Sequence, residues 1–493
     1  MLVEVAGLTR IGATAALITF FLCPSAAQFA LTEAIARLVQ GEKSADAIAV
    51  LQTAVQRSPN AARWWAWLGY AYCLQGDFAA AQRAYAQATE APVGLAWLPP
   101  QFPVAWLAQW RALQPVAWGG TTFWCSLPTL TEPLSFTPPE HAAPFPWLIT
   151  VYAAGEGDGG PVARQWVRWL MPTEHLPDHL HGAPVVFTAA LHAFASQFQT
   201  PVSLPVCVWL FPHGDGSAKT ITGNTLFYGT LPNDRWGWWL KMAHEAGHHA
   251  IPAFGAFDGL HEPYAGGFLG ERLFALWLWD GQQTQPLPDD IAQGITVYLR
   301  STVVPEIVAG QQWLLRNDDE APRMPTFLGV CLYLERLVGS AFLSAAMKRA
   351  KGESWQAFVN GVQTAIGDSV RDGLTLRFAL PDANTAPTRF ALDHLRDAPE
   401  RPTTQVAWHL PVGTFLGHLE LDGGGELVMR WGDRTIGRWQ LGIAQRYRLP
   451  LRFSVAETGW QRLRFWWLKG GGRIVALTVR QADERRRNAG ERP

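Results

Sequence analysis

Apolar and polar positions follow three rhythms along this chain, and each predicts its own kind of element. Over residues 28–90 apolar residues return at helical spacing, with Ala47, Ala54, Ala81 and Ala88 among them, which predicts packed helices. Short apolar runs at 147–154, 205–212 and 224–229 predict strands, the last bounded by Gly223 and Gly229. Between the first two, a glycine-rich turn at 155–160 precedes Pro161, which fits the first turn of a helix. Asn233 and Asp234 offer caps to a long helix entered near Trp236, and the chain is then largely helical through about Ala365. From 405 to 481 the period falls to two, as in 446–453 and 462–469, predicting a small antiparallel β-sandwich with turns at 423–425 and 470–472.

The chemistry is concentrated in the long helix. His244, Glu245 and His248 form His-Glu-x-x-His, and two histidines four residues apart on a helix leave the same face about one turn apart, where one tetrahedral zinc ion can be held. Glu245 sits about 100° round the helix from the ligand direction, close enough to act on a water but not to ligate. Three protein ligands would leave a fourth position for that water, which marks a catalytic rather than a structural site. His249, one residue past the second histidine, points elsewhere and is read as structural or supporting.

Two strands followed by this helix resemble the order in the gluzincins, the thermolysin-like zinc peptidases, and the likeness covers roughly 145–370. It implies Zn²⁺ as cofactor and Glu245 as the general base. It also implies Glu271, early in the next helix and 23 residues after His248, as the third ligand. The run from Asn224 through Thr225, Leu226 and Phe227 resembles the edge strand that holds an extended peptide substrate. The family commonly sets an aspartate four residues after the ligand glutamate to orient the first histidine; here that position is Ala275. Tyr264 and His261 are the candidates for stabilising the oxyanion. The aspzincin pattern offers Asp258 as an alternative third ligand, although Ala256 and the pair His261 and Glu262 depart from it. Ile251 and Phe254 exclude a metzincin.

In the helical segment, Trp65, Leu68, Gly69, Tyr72, Gly76, Phe78, Ala81, Tyr85 and Ala88 resemble the tetratricopeptide repeat, with a weaker copy 34 residues earlier. Two such repeats bury too little surface alone, so they are expected to dock on the next region of the chain, either as a prop or as a groove for a protein partner. The C-terminal alternation is weakly similar to the jelly-roll modules that bind carbohydrate, which makes carbohydrate a candidate ligand there.

Composition bounds the remainder. The 493 residues are 48% apolar and 16% charged, an ordinary globular balance with room for several domains. A net charge of −1 argues neither for nucleic acid nor for a steered ionic partner, and no nucleic-acid partner is expected. Arg10, an apolar core at 11–23 and Ser25-Ala26-Ala27 read as a leader exported to the periplasm or beyond, with an uncleaved membrane anchor as the alternative. The expected organisation is a leader (1–27), repeats (28–94), a connector rich in proline and aromatics (95–144) and an α+β peptidase-like domain (145–380). A linker (381–404), the sandwich (405–482) and a basic tail (483–493) complete it. Cys73, Cys125, Cys207 and Cys331 are scattered, without a metal-type pair. N-terminal sequencing of exported protein should begin at or near Gln28; a chain that begins at Met1 would mean the segment is retained.

Overall fold

The computed structural model describes residues 24–39, 45–89, 114–118, 120–126, 129–130, 145, 147–157, 160–214, 216–220, 223–229, 234–252, 266–282, 287–316, 320–350, 354–378 and 404–482. The chain divides into two compact units, one built from the segments up to Leu170 and one running from Met171 onward. No described helix is long and apolar enough to cross a membrane.

The first unit opens with four helices, α1 (Pro24–Val39), α2 (Ala45–Arg57), α3 (Ala62–Gln75) and α4 (Phe78–Thr89). Leu38, Leu51, Trp67 and Ala71 lie at the centre of their shared core. The reversal between α3 and α4 is set by two residues. Gly76 takes a left-handed conformation (φ 82°) and its N–H donates to Cys73 O, which ends α3, while Asp77 caps α4 by accepting from Ala80 N at 2.9 Å.

The strands β1 (Gln114–Trp118), β2 (Thr121–Cys125), β3 (Thr129–Leu130), β4 (Trp147–Gly157) and β5 (Gly160–Met171) come next, in the order β1-β2-β4-β5 with β3 also against β4. Pro161 therefore lies in a strand and not in the first turn of a helix: Val167 and Trp169 are fully buried two residues apart, and period two overrides the local preference of proline for a helix start. The repeats dock as expected. Phe78 at the head of α4 is T-shaped to Trp124 of β2 (5.9 Å) and to Tyr152 of β4 (5.4 Å).

In the second unit, α5 (Ala183–Phe198) precedes β6 (Val206–Phe211), β7 (Ser217–Lys219) and β8 (Thr225–Tyr228), which lie in the order β6-β8-β7. Helices α6 (Arg235–Ala250), α7 (Gly266–Gly281), α8 (Asp289–Tyr298), α9 (Val304–Leu314), α10 (Met324–Val338), α11 (Ser340–Arg349) and α12 (Trp355–Asp372) come after them, with a π-helical stretch, Leu299–Val303, joining α8 to α9. Asp234 caps α6 as anticipated, accepting from Gly237 N at 2.7 Å.

The C-terminal strands are β9 (Leu374–Arg377), β10 (Thr404–Leu410), β11 (Gly413–Trp431), β12 (Arg434–Val455) and β13 (Gly459–Gln481). Among the described residues they form one antiparallel sheet, β10-β13-β11-β12 with β9 also on β13, in place of the expected two-sheet sandwich. The glycine clusters expected as turns lie mid-strand, facing one another: Gly423 opposite Gly472, Gly424 opposite Gly471 and Gly425 opposite Gly470. A Cβ on Gly425 would stand 2.1 Å from Lys469 O, so glycine here permits close backbone approach beside a bulge. This sheet joins the helices of its own unit directly, since Tyr333 of α10 donates to Ala407 O of β10 at 2.6 Å.

Phe78→Ala should remove the aromatic anchor beneath the repeats at a cost of about 3–5 kcal/mol. Calorimetry of the full chain should show the transition that carries the repeat helices moving down while the other holds.

Candidate metal centre

Helix α6 presents His244, Glu245 and His248 as a group whose ligand atoms all lie within 4.8 Å of one another. The imidazoles of His244 and His248 are 4.8 Å apart, centroid to centroid, and nearly perpendicular. Burial, followed by the neighbouring His244 and Lys219, pushes His248 down to about 3. It is therefore neutral at pH 7, the form with a lone pair to offer. Glu245 is 1% exposed.

Helix α7 crosses α6 with almost nothing between the two backbones. A Cβ on Gly247 would meet Gly266 O at 2.3 Å, and one on Gly270 would meet Ala243 O at 2.6 Å. The glycine-rich entry to α7 thus lets two helices touch. At Gly267 the same closeness has a chemical result: a Cβ there would lie 2.5 Å from His244 Nε2 and 2.7 Å from His248 Nε2. Both nitrogens converge on the space left by the missing side chain, a cradle that any other residue would fill.

Glu271, expected as third ligand, stands behind His244. Its Oε1 is 2.7 Å from His244 Nδ1, and its Oε2 accepts from Tyr298 Oη at 3.0 Å and from Arg272 at 3.3 Å. A carboxylate on Nδ1 selects the tautomer that keeps the Nε2 lone pair facing the cradle. Glu271 thus meets His244 on the side away from the cradle, and the position one turn before it, nearest both Nε2 atoms, is Gly267.

The support for Glu271 is a buried network that no motif announced. Arg272 makes a bidentate pair with Glu306 at 2.8 and 2.9 Å and also donates to Phe268 O. Burial works against its charge, but Glu306 and the neighbouring groups hold it above the usual range for a guanidinium. Burial, followed by Glu271, raises the Tyr298 hydroxyl well above its ordinary range, so it stays protonated as a donor. Tyr298 and Glu306 lie 27 and 35 residues beyond Glu271, too far for a local pattern to link them.

The expected substrate strand is also corrected. β8 pairs with β6 on one side, parallel, and with β7 on the other, antiparallel, so it is interior. Thr225, Leu226 and Phe227 are buried, half-buried Asn224 precedes them, and Thr225 Oγ1 lies 2.8 Å from His249 Nε2. His249 thereby ties α6 to the sheet. The outer strand among the described residues is β7, whose Lys219 donates to His248 O at 3.0 Å, near the C-terminal end of α6. Asp258, His261 and Tyr264 lie outside the described residues.

Residues 38–94 match the family described as tetratricopeptide repeat. That match agrees with the helical pairs of the first unit and does not reach the histidine cluster. No curated protein matches the chain.

Two substitutions separate cradle from support. Gly267→Ala should abolish zinc binding with the fold kept, because the new methyl occupies the cradle. Glu271→Gln should retain binding, weakened about 10- to 100-fold, as for loss of a supporting group. Zinc titration of both, with circular dichroism as the fold control, checks the pair.

Proposed function

We propose that this chain is an exported zinc-dependent metallopeptidase that shares the order of strands and helices of the gluzincins but takes its third protein ligand from elsewhere. The observation that carries the reading is the convergence of His244 and His248 on the Gly267 cradle, with Glu245 on the same helix and Glu271 fixing the first imidazole. The order β6, β7, β8, α6, α7 supports the thermolysin-like comparison.

In this reading His244 and His248 would hold the ion through the Nε2 atoms that face the cradle. With glycine at 267, the remaining protein donor is assigned to the segment joining α6 to α7, where Asp258 is the first candidate. Bound zinc supplies Lewis-acid polarisation of the scissile carbonyl and acidifies water. Glu245, buried on the same helix, takes a proton from the attacking water and delivers it to the leaving nitrogen. His261 and Tyr264 are the proposed donors to the oxyanion. An extended peptide adds to β7 through main-chain pairing and not to β8, whose two edges are already taken. The repeats offer a docking surface for a protein partner.

The same glycine favours a second reading, a non-catalytic binding protein on a peptidase-like frame, because it removes a side chain from the place closest to both imidazoles. One experiment separates the two. Metal analysis of the full chain should find about one zinc per molecule, and Glu245→Gln should keep that zinc while losing about 10²-fold or more in peptide hydrolysis. A metal-free parent protein with no hydrolysis of a broad peptide library would favour the binding protein.

A further inference from the structure

A second concave site lies within the same unit, where helices α9 and α12 meet the C-terminal sheet. It encloses about 390 Å³, in the range of small-molecule sites. Its lining includes three indoles, half-buried Trp313 of α9 and the buried Trp355 of α12 and Trp460 of β13, with the amides of Gln356 and Gln363 and with His409 of β10.

His409 is the informative member. It is 3% exposed, and neither ring nitrogen has a hydrogen-bond partner; Trp313 Nε1 is likewise buried without one. A buried polar group left unbonded destabilises the fold, and here three unbonded atoms belong to residues lining one cavity. His409 lies directly opposite Trp460 in the β10–β13 ladder, their rings 5.6 Å apart. Burial pushes His409 down to about 4, so the imidazole is neutral at pH 7, and no lysine, arginine, aspartate or glutamate lines the cavity.

We propose that this cavity binds a neutral saccharide. The half-buried Trp313 indole can take the CH-bearing face of a pyranose ring, an uncharged lining selects an uncharged ligand, and sugar hydroxyls can both donate and accept, as a neutral imidazole requires. Both His409 nitrogens are covered in this conformation. Contact therefore takes a turn of the ring about its Cβ–Cγ bond, a broad torsion. The site is independent of the metal reading and shares no residue with it.

The test is a titration of the full chain with cellobiose, maltose and N,N′-diacetylchitobiose, followed by tryptophan fluorescence, with adenosine as the comparison ring compound. At least one disaccharide should saturate the signal. His409→Phe removes the unbonded nitrogens and should hold or raise the Tm while weakening that saccharide about tenfold, the loss expected for one hydrogen bond. Gln363→Ala, on the exposed face of α12, should weaken it by severalfold with no change in Tm, and it decides the matter if His409→Phe fails to fold. The proposal is overturned if no saccharide binds, if adenosine binds in their place, or if binding is indifferent to both substitutions.

Discussion

The second unit turns on the contact between α6 and α7, where Gly247, Gly266 and Gly270 leave the two backbones touching. At that separation a residue on α7 has a fixed meaning for the histidines. Position 267 faces both Nε2 atoms, and position 271 reaches the far side of His244. A methyl group at 247 or 270 would part the helices and break that correspondence. Interiors are packed too densely to absorb such a shift locally.

Behind Glu271 runs an alternation of acid and base, from Glu271 to Arg272 to Glu306, with Tyr298 closing one side. The two carboxylates and the guanidinium are all largely buried, so their mutual hydrogen bonds stand in for the water they have lost. Removing Glu306 would leave Arg272 with Glu271 as its charge partner and draw on the carboxylate that holds His244, an effect carried by charge and not by direct contact with the histidines.

Much of this is legible in the sequence, and the failures have physical causes. The histidine pair, the Asp234 cap and the tetratricopeptide helices are local patterns, and local patterns survive folding. Sequence misassigns Glu271 because a carboxylate beside a histidine can ligate or orient, and only the helix crossing distinguishes the two. It presents β8 as an edge because three-residue β7 is too short to show periodicity, yet β7 covers the open side. The glycine clusters at 423–425 and 470–472 suggest turns because composition alone cannot tell a reversal from a crease shared by two paired strands.

One strand carries a consequence beyond binding and catalysis. β12 is 22 residues long and, among the described residues, pairs on one side only, with β11. So long an open ladder invites a second copy to add to it, the first step of aggregation. Along it Arg434, Arg438, Arg446, Arg448 and Arg452 are exposed, and Pro450 withholds a backbone donor. Two copies aligned there would set arginines side by side, and that like charge opposes the addition of a second edge.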